Sequence, residues 1–265
     1  MKLNRPIITL TTDFGYTDPF VGIMKGVIFC ITPHTQIVDL SHGIPPQDIR
    51  AAALTLAASV DYFAKGTIHV AVVDPGVGSE RRSIVAESGG HYFVGPDNGV
   101  FSFALQGKES SRIVELSNEA YHLQPTSRTF HGRDVFAPVA AHLARGVPLG
   151  EFGAPLKDCA HLPWPAAERA GESILGEILY IDSFGNLFTN IREHDLRGAA
   201  PEKVRVRLGG ITIRGVSRNY ATEQNGTCIA LINSWGLVEI AIYKDNAARC
   251  TESKIGDRVR IDLVP

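Results

Sequence analysis

The feature that most narrows the fold of this chain is a change of hydrophobic period near residue 155. Before it, nearly unbroken apolar and β-branched runs alternate with segments of helical spacing. After it, apolar residues fall at every second position. The first run is 6–12, Pro-Ile-Ile-Thr-Leu-Thr-Thr, and the next is 67–73, Thr-Ile-His-Val-Ala-Val-Val. Strands this apolar are covered on both faces, as in a sheet flanked by helices. Between them, Asp18-Pro19 reads as the cap and first-turn proline of a helix with Phe20, Ile23, Met24, Val27 and Ile28 at helical spacing. Asp48 reads as the cap of a second helix, with Ile49, Ala52, Ala53, Leu56 and Val60 on one face. Residues 91–94 predict another strand. Residues 134–145 can be helical only if Pro138 lies near the first turn, where its missing N–H costs nothing.

In the last third, Val204, Val206 and Leu208 alternate with Lys203, Arg205 and Arg207, and Gly209-Gly210 turns the chain into Ile211 and Ile213. Residues 228–232 and 237–242 flank Asn233-Ser234-Trp235-Gly236 as a second hairpin, and Val259, Ile261 and Leu263 form a last strand. The expected architecture is therefore an α/β N-terminal domain over residues 1–165, its parallel or mixed sheet flanked by helices. An all-β, barrel-like C-terminal domain over residues 172–265 follows.

Composition removes several classes of function. Lys plus Arg number 26 against 28 Asp plus Glu, a net charge of −2. No basic field exists to gather nucleic acid or an anionic membrane, so neither is expected as a partner. No run approaches the roughly 18 apolar residues of a membrane span. Cys30, Cys159, Cys228 and Cys250 have no CxxC or ligand-like spacing, which argues against a disulfide framework and a zinc site. A reduced, cytoplasmic location is expected, with no cleavable leader. Glycine is in excess, 26 of 265 residues against a usual share of about 7%. That excess points to tight turns and close backbone approaches, as around a ligand.

Polar clusters sit where the predicted strands end, the place where open α/β sheets bind ligands. In Thr11-Thr12-Asp13-Phe14-Gly15, Asp13 offers two oxygens that match a vicinal diol, or else caps its own turn. Asp74 and Arg81 bracket a glycine loop that can fold them together. Lys-Ser/Thr is absent and GxGxxG incomplete, so the loop is no phosphate cradle; the plain alternative is a surface ion pair. His131, in Thr129-Phe130-His131-Gly132-Arg133-Asp134, can accept a proton or bind a metal, but no HxH or HExxH accompanies it. Metal catalysis by Asp13, Asp74 and His131 has no spacing signature. In Asp182-Ser183-Phe184-Gly185-Asn186, Asn186 can read an adenine edge and Phe184 supply a flat wall, or both belong to an ordinary turn.

These segments, in this order, resemble the S-adenosyl-L-methionine (SAM) hydroxide adenosyltransferases, or SAM hydrolases, relatives of the SAM-dependent fluorinating and chlorinating enzymes. The resemblance spans the chain: TTDFG at 11–15, VVDPGVGSERR at 72–82, GPDNG at 95–99, FHGRDVFAP at 130–138, DSFGN at 182–186 and NSWG at 233–236. It implies a SAM site built from both domains in a homotrimer, with SAM as substrate, adenosine and L-methionine as products, and no cofactor or metal. Asp74, Arg81 and His131 match the water-activating trio. Asp13 matches the ribose carboxylate, Phe184 and Asn186 the adenine contacts, and Asp18 and Ser234 the methionine end, with Trp235 contributing mainly main chain. Phe130 and Asp182 complete the substrate-binding set. Gln47 departs from the aromatic that relatives commonly place against the substrate.

The implied chemistry is sound on general grounds. A sulfonium at the ribose C5′ carbon leaves as a neutral thioether and needs no acid. Water, with a pKa near 15.7, needs a positive charge and a proton acceptor. Arg81 can supply the first, and His131 or Asp74 the second. A halogenating relative is the alternative expectation, disfavoured because Asp74 would repel a halide; a non-catalytic SAM or adenosine binder is the other.

Overall fold

The computed structural model describes residues 5–107, 112–222 and 224–263. The chain divides into two compact units, 1–163 and 164–265. In the first, the order is β1 (Ile7–Thr12), α1 (Phe20–Ile31), β2 (Gln36–Ser41), α2 (Ile49–Val60), β3 (Ile68–Val72), β4 (Ser83–Ser88), β5 (His91–Pro96), α3 (Ser102–Leu105), β6 (Arg112–Glu115), α4 (Ala137–Ala144) and β7 (Pro155–Leu156). The strands form one mixed sheet in the order β2-β1-β3-β5-β4-β6-β7. β2, β1, β3 and β5 run parallel to one another, and β4, β6 and β7 are antiparallel additions. The parallel pairing of β2, β1 and β3 follows from the βαβ alternation. The antiparallel part begins at a two-residue hairpin, where Ser88 pairs with His91 across Gly89-Gly90. Both glycines have positive φ, 60° and 85°, the conformation such a turn demands.

Helices cover the sheet through their apolar stripes. α2 begins at Asp48, whose carboxylate accepts the Ala51 N–H at 2.8 Å, and buries Ala52, Ala53, Leu56 and Val60. α1 differs from expectation at both its start and its face. Pro19, not Asp18, occupies the cap position and no side chain caps the helix, so Asp18 is left for another role. The buried stripe is Val21, Met24 and Ile28, three and four residues apart, while Phe20 and Ile23 are exposed. Met24 and Ile28 join Ile8, Leu10, Val70, Val72 and Phe136 in the core, each such side chain contributing roughly 1.5–3 kcal/mol on burial.

The second unit contains β8 (Glu168–Ala170), β9 (Ser173–Ile181), β10 (Leu187–Arg192), β11 (Val204–Leu208), β12 (Ile211–Arg214), β13 (Cys228–Ile232), β14 (Leu237–Ile242), α5 (Ala247–Cys250) and β15 (Arg258–Leu263). Its strands follow the order β12-β11-β15-β9-β10-β14-β13, antiparallel throughout and nearly closed into a barrel. Alternation does what the sequence required: Val204, Val206 and Leu208 are buried and Arg205 and Arg207 exposed. Among the described residues no helix is long and apolar enough to cross a membrane.

Candidate active site

Asp13 and Asp74 follow the carboxyl ends of β1 and β3, which lie side by side with Thr12 level with Val72. Two carboxylates thus leave one edge of the sheet together. Asp13 Oδ2 accepts the Gln47 N–H at 2.8 Å. Gln47 has a left-handed backbone, φ 66°, uncommon for a residue with a Cβ. Its aim at Asp13 is a main-chain contact that the side chain does not announce.

The loop after Asp74 folds back on itself. Val77 N–H donates to Asp74 O at 3.2 Å and Ser79 N–H to Gly76 O at 3.1 Å. Gly78 makes this possible: its φ is 77°, and a Cβ there would lie 2.2 Å from the Arg128 carbonyl oxygen. The fold-back delivers Arg81 to Asp74. Arg81 Nε donates to Asp74 Oδ1 and Oδ2 at 2.9 and 3.1 Å, and Nη2 to Oδ2 at 2.5 Å. Nη2 also donates to His131 Nδ1 at 2.8 Å, and Nη1 to Ser83 Oγ at 2.6 Å. The guanidinium carbon lies 5.4 Å from the centre of the Phe136 ring. With side chains only 5% and 11% exposed, Asp74 and Arg81 form no surface ion pair; removing either would leave a buried charge without its partner.

His131 precedes a widened π-type turn, Gly132–Phe136, that runs into α4. The cause is Pro138, which has no N–H to give the carbonyl four residues back. Ala137 N–H instead reaches Gly132 O, and the Asp134 carbonyl accepts from Leu123 N–H at 2.8 Å. Asp134 is buried, and its carboxylate accepts from Arg133 at 2.6 and 2.9 Å and from Ser127 N–H at 2.8 Å. Burial pushes the Asp134 carboxyl up, but the bonds from Arg133 and Ser127 outweigh it and hold it below the usual range. The His131 imidazole is lowered by burial first and by the Arg81 charge second, against the opposing pull of Asp74 and Asp134. Since Nδ1 accepts from Arg81, we assign the proton of the neutral ring to Nε2.

Asp13, Asp18, Gln47, Asp74, Phe130 and His131 line one cavity of about 470 Å³. Phe14, Phe20 and Phe130 pack edge-on along it, with centroids 5.2 to 5.8 Å apart. Phe20, outside the helix core, belongs to this aromatic group. Three carboxylates against the one guanidinium of Arg81 favour a cationic guest.

Asp182, Phe184, Asn186 and Ser234 line a second cavity, of about 860 Å³, within the barrel-like unit. Asp182 orders the turn itself: Oδ1 accepts from Phe184 N–H and Asn186 N–H at 2.9 Å, and Oδ2 from Asn186 Nδ2 at 3.0 Å. Phe184 is left 75% exposed, a bare aromatic face. Trp235 does not line the cavity. Its ring packs against Tyr180 and Phe188, centroids 5.4 and 5.0 Å away, and its backbone N–H donates to Asn233 Oδ1 at 2.9 Å.

Sequence reasoning passes over Ser83, Phe136, Asp134, Tyr220 and Glu239. Glu239 is fully buried among the apolar residues of β14 and accepts from Tyr220 OH at 2.8 Å. Burial pushes its carboxyl up. A lone Glu in the run Leu-Val-Glu-Ile-Ala-Ile is the available signal, since a buried carboxyl needs a partner. A further cavity of about 810 Å³, lined by Glu177, Asn190, Arg207, Arg258 and Arg260 among others, holds none of the expected residues. No group of three or more His, Cys, Asp or Glu among the described residues is arranged to hold a metal.

Residues 8–153 match the family model of the SAM hydroxide adenosyltransferase N-terminal domain, and residues 176–260 that of the C-terminal domain. The chain is 36% identical over 262 residues to the (R)-S-adenosyl-L-methionine hydrolase of Salinispora tropica, covering 97% of each protein. A fluorinase of an Actinoplanes species is more distant, at 28% identity over 89% of this chain and 91% of that protein. A solved structure of an uncharacterized conserved protein from Thermotoga maritima superposes with a TM-score of 0.91 at 34% identity, covering 96% of this chain and 99% of that one.

Proposed function

Because the chain belongs to the SAM hydroxide adenosyltransferase family, we propose that it hydrolyses SAM to adenosine and L-methionine, with a water activated by Asp74, Arg81 and His131 as nucleophile. The observation that carries this reading is the bridging of Arg81 between Asp74 and His131 at the edge of a cavity rich in carboxylates. Arg81 stays protonated and stabilises hydroxide-like charge on the water. Among the described residues Asp74 Oδ1 accepts from Arg81 Nε alone and keeps a lone pair for the water proton. His131 has its Nδ1 filled and serves first to hold the guanidinium in place.

In the step itself, the water oxygen forms the new bond to C5′ as the C5′–sulfur bond breaks, its electron pair remaining on the methionine sulfur. One water proton leaves through Asp74 to solvent. Opposite charges vanish in this transition state, so a site drained of bulk water accelerates it. Asp13 takes the ribose diol, and Asp18, Phe130 and Ser234 surround the methionine end. Asn186 meets the adenine edge with Phe184 as its wall, in the turn that Asp182 orders, and Trp235 supports that region from behind. The positive charge comes from Arg81, so the reaction is written without metal or other cofactor. The assembly in this reading is a cytoplasmic homotrimer, which size-exclusion chromatography with light scattering tests.

Incubating EDTA-treated protein with SAM and separating nucleosides by chromatography tests the activity. Adenosine above the spontaneous background is expected, and its absence would sink the reading. Arms with added fluoride or chloride separate the halogenating alternative. The Asp74 carboxylate opposes an anion there, so no 5′-halo-nucleoside is expected.

A further inference from the structure

We infer that His42 is the positioning residue that fixes the Asp13 carboxylate, by gripping both ends of the turn that carries it; this rests on the reading of Asp13 as the ribose-diol ligand. The placement begins with a slip in the pairing of β1 and β2. Leu10 lies level with Asp39, but Thr11 lies level with Ser41, so β2 carries one extra residue. The slip advances the chain and brings His42, just past β2, alongside Thr12.

His42 is 2% exposed. Its Nδ1 lies 2.8 Å from Thr12 Oγ1, and its carbonyl oxygen accepts the Gly15 N–H at 2.8 Å. Thr12 and Gly15 bracket Asp13. Thr12 Oγ1 also accepts the Phe14 N–H at 3.2 Å, so one side chain of β1 ties the turn internally and to His42. On the far side of the ring, Nε2 lies 3.1 Å from Asp39 Oδ1. Asp39 Oδ2 accepts from Lys25 Nζ at 2.6 Å and from Tyr16 OH at 3.1 Å, and Tyr16 meets the imidazole edge-on at 5.1 Å.

The Asp39 carboxylate 3.1 Å from Nε2 makes no hydrogen bond there, but its negative charge favours the proton on that nitrogen, and we assign it so. Thr12, already accepting from Phe14, then gives its hydroxyl proton to the bare Nδ1. Threonine, histidine and aspartate in series resemble a nucleophile with its base. Thr12 is fully buried and its oxygen is committed to Phe14, which leaves the series no substrate to attack. Its chemistry is to hold. Loss of the imidazole would release the Thr12 end of the turn, leaving only the main-chain bond to Gly15, and let Asp13 stray from the geometry that two parallel hydrogen bonds to a diol require.

The test compares binding of adenosine and 2′,3′-dideoxyadenosine by calorimetry in the intact protein and in Asp13→Ala, His42→Ala and His42→Asn. The unaltered protein should prefer adenosine by about tenfold or more, the worth of charge-assisted hydrogen bonds to the diol, and Asp13→Ala should abolish the preference. His42→Ala should cut it below roughly threefold while dideoxyadenosine binds as before. The amide of the His42→Asn variant can place an acceptor near the Nδ1 position and should restore part of the preference; this variant also carries the test if the alanine variant fails to fold. A full preference in His42→Ala overturns the inference, as does equal weakening of both nucleosides in either variant. If the unaltered protein shows no preference at all, the reading of Asp13 falls, and the inference with it.

Discussion

Replacing Arg81 by lysine keeps the positive charge and removes the fork, and so isolates what the fork does. The guanidinium serves Asp74, His131 and Ser83 at once, through donors on Nε, Nη1 and Nη2. A lysine ammonium is a single point on a flexible stem, and held by Asp74 it cannot also meet His131 at 2.8 Å. The loss amounts to roughly one hydrogen bond from a charged donor in a nearly closed site, about 1.5–3 kcal/mol. If that bond orients the charge that stabilises the attacking oxygen, the loss reaches the transition state, and kcat should fall by roughly 10- to 150-fold. Initial rates of adenosine release over a range of SAM concentrations separate kcat from KM. Adenosine binding, measured on the same preparation, should stay within about twofold of the parent if the pocket is intact. A His131→Ala background should mute the effect, because the partner lost by lysine is already gone. Retention of kcat within about threefold in the otherwise unaltered protein would refute the argument that the bridge, rather than the charge alone, activates the water.

Other outcomes follow from the same geometry. Burial and Arg81 lower the His131 imidazole, so between its folded value and about 6.5 the folded protein binds fewer protons than the unfolded chain, and stability must rise with pH through that window. Thermal melts from about pH 5 to 8 should lose part of this rise in His131→Gln; an unchanged pH slope would contradict the assignment. Phe184→Ala removes an exposed aromatic wall worth about 1–3 kcal/mol to a stacked base, so calorimetry should find adenosine bound about 5- to 150-fold more weakly. Gly78→Ala drives a Cβ to 2.2 Å from the Arg128 carbonyl at a φ of 77°. Denaturant unfolding should register a loss of about 1–3 kcal/mol, and a variant as stable as the parent would show that the loop has room to yield.

The sequence is most legible where a local rule decides the structure. Asp48 caps α2, the alternation in β11 sorts Val206 from Arg207, and β1 and β3 end just short of Asp13 and Asp74. It is least legible where distant segments decide. No local pattern ties Arg81 to a histidine fifty residues away, and only the likeness of the whole ordered motif set places His131 beside it. Pro138 marks a limit on α4, but the widened turn it produces, with the Asp134 carbonyl handed to Leu123, depends on a neighbouring segment that supplies the N–H. The antiparallel strands β4 and β6 are equally hard to foresee, because β4 takes one partner from the hairpin closed at Gly89-Gly90 and the other from β6, beyond β5 in the chain. Short-range statistics favour Asp18 as a cap, and the helix simply begins one residue later.

The left-handed residue at position 47 separates two properties that usually travel together. Its grip on Asp13 comes from the peptide N–H, while the glutamine side chain belongs to the cavity wall. Anchor and wall are thus held by different atoms of one residue. A change of side chain that tolerates the same backbone, asparagine or glycine above all, can remodel the pocket without loosening the carboxylate, whereas a β-branched residue would disturb both. Position 47 is therefore a place where the cavity lining can be altered independently of the hold on the Asp13 carboxylate.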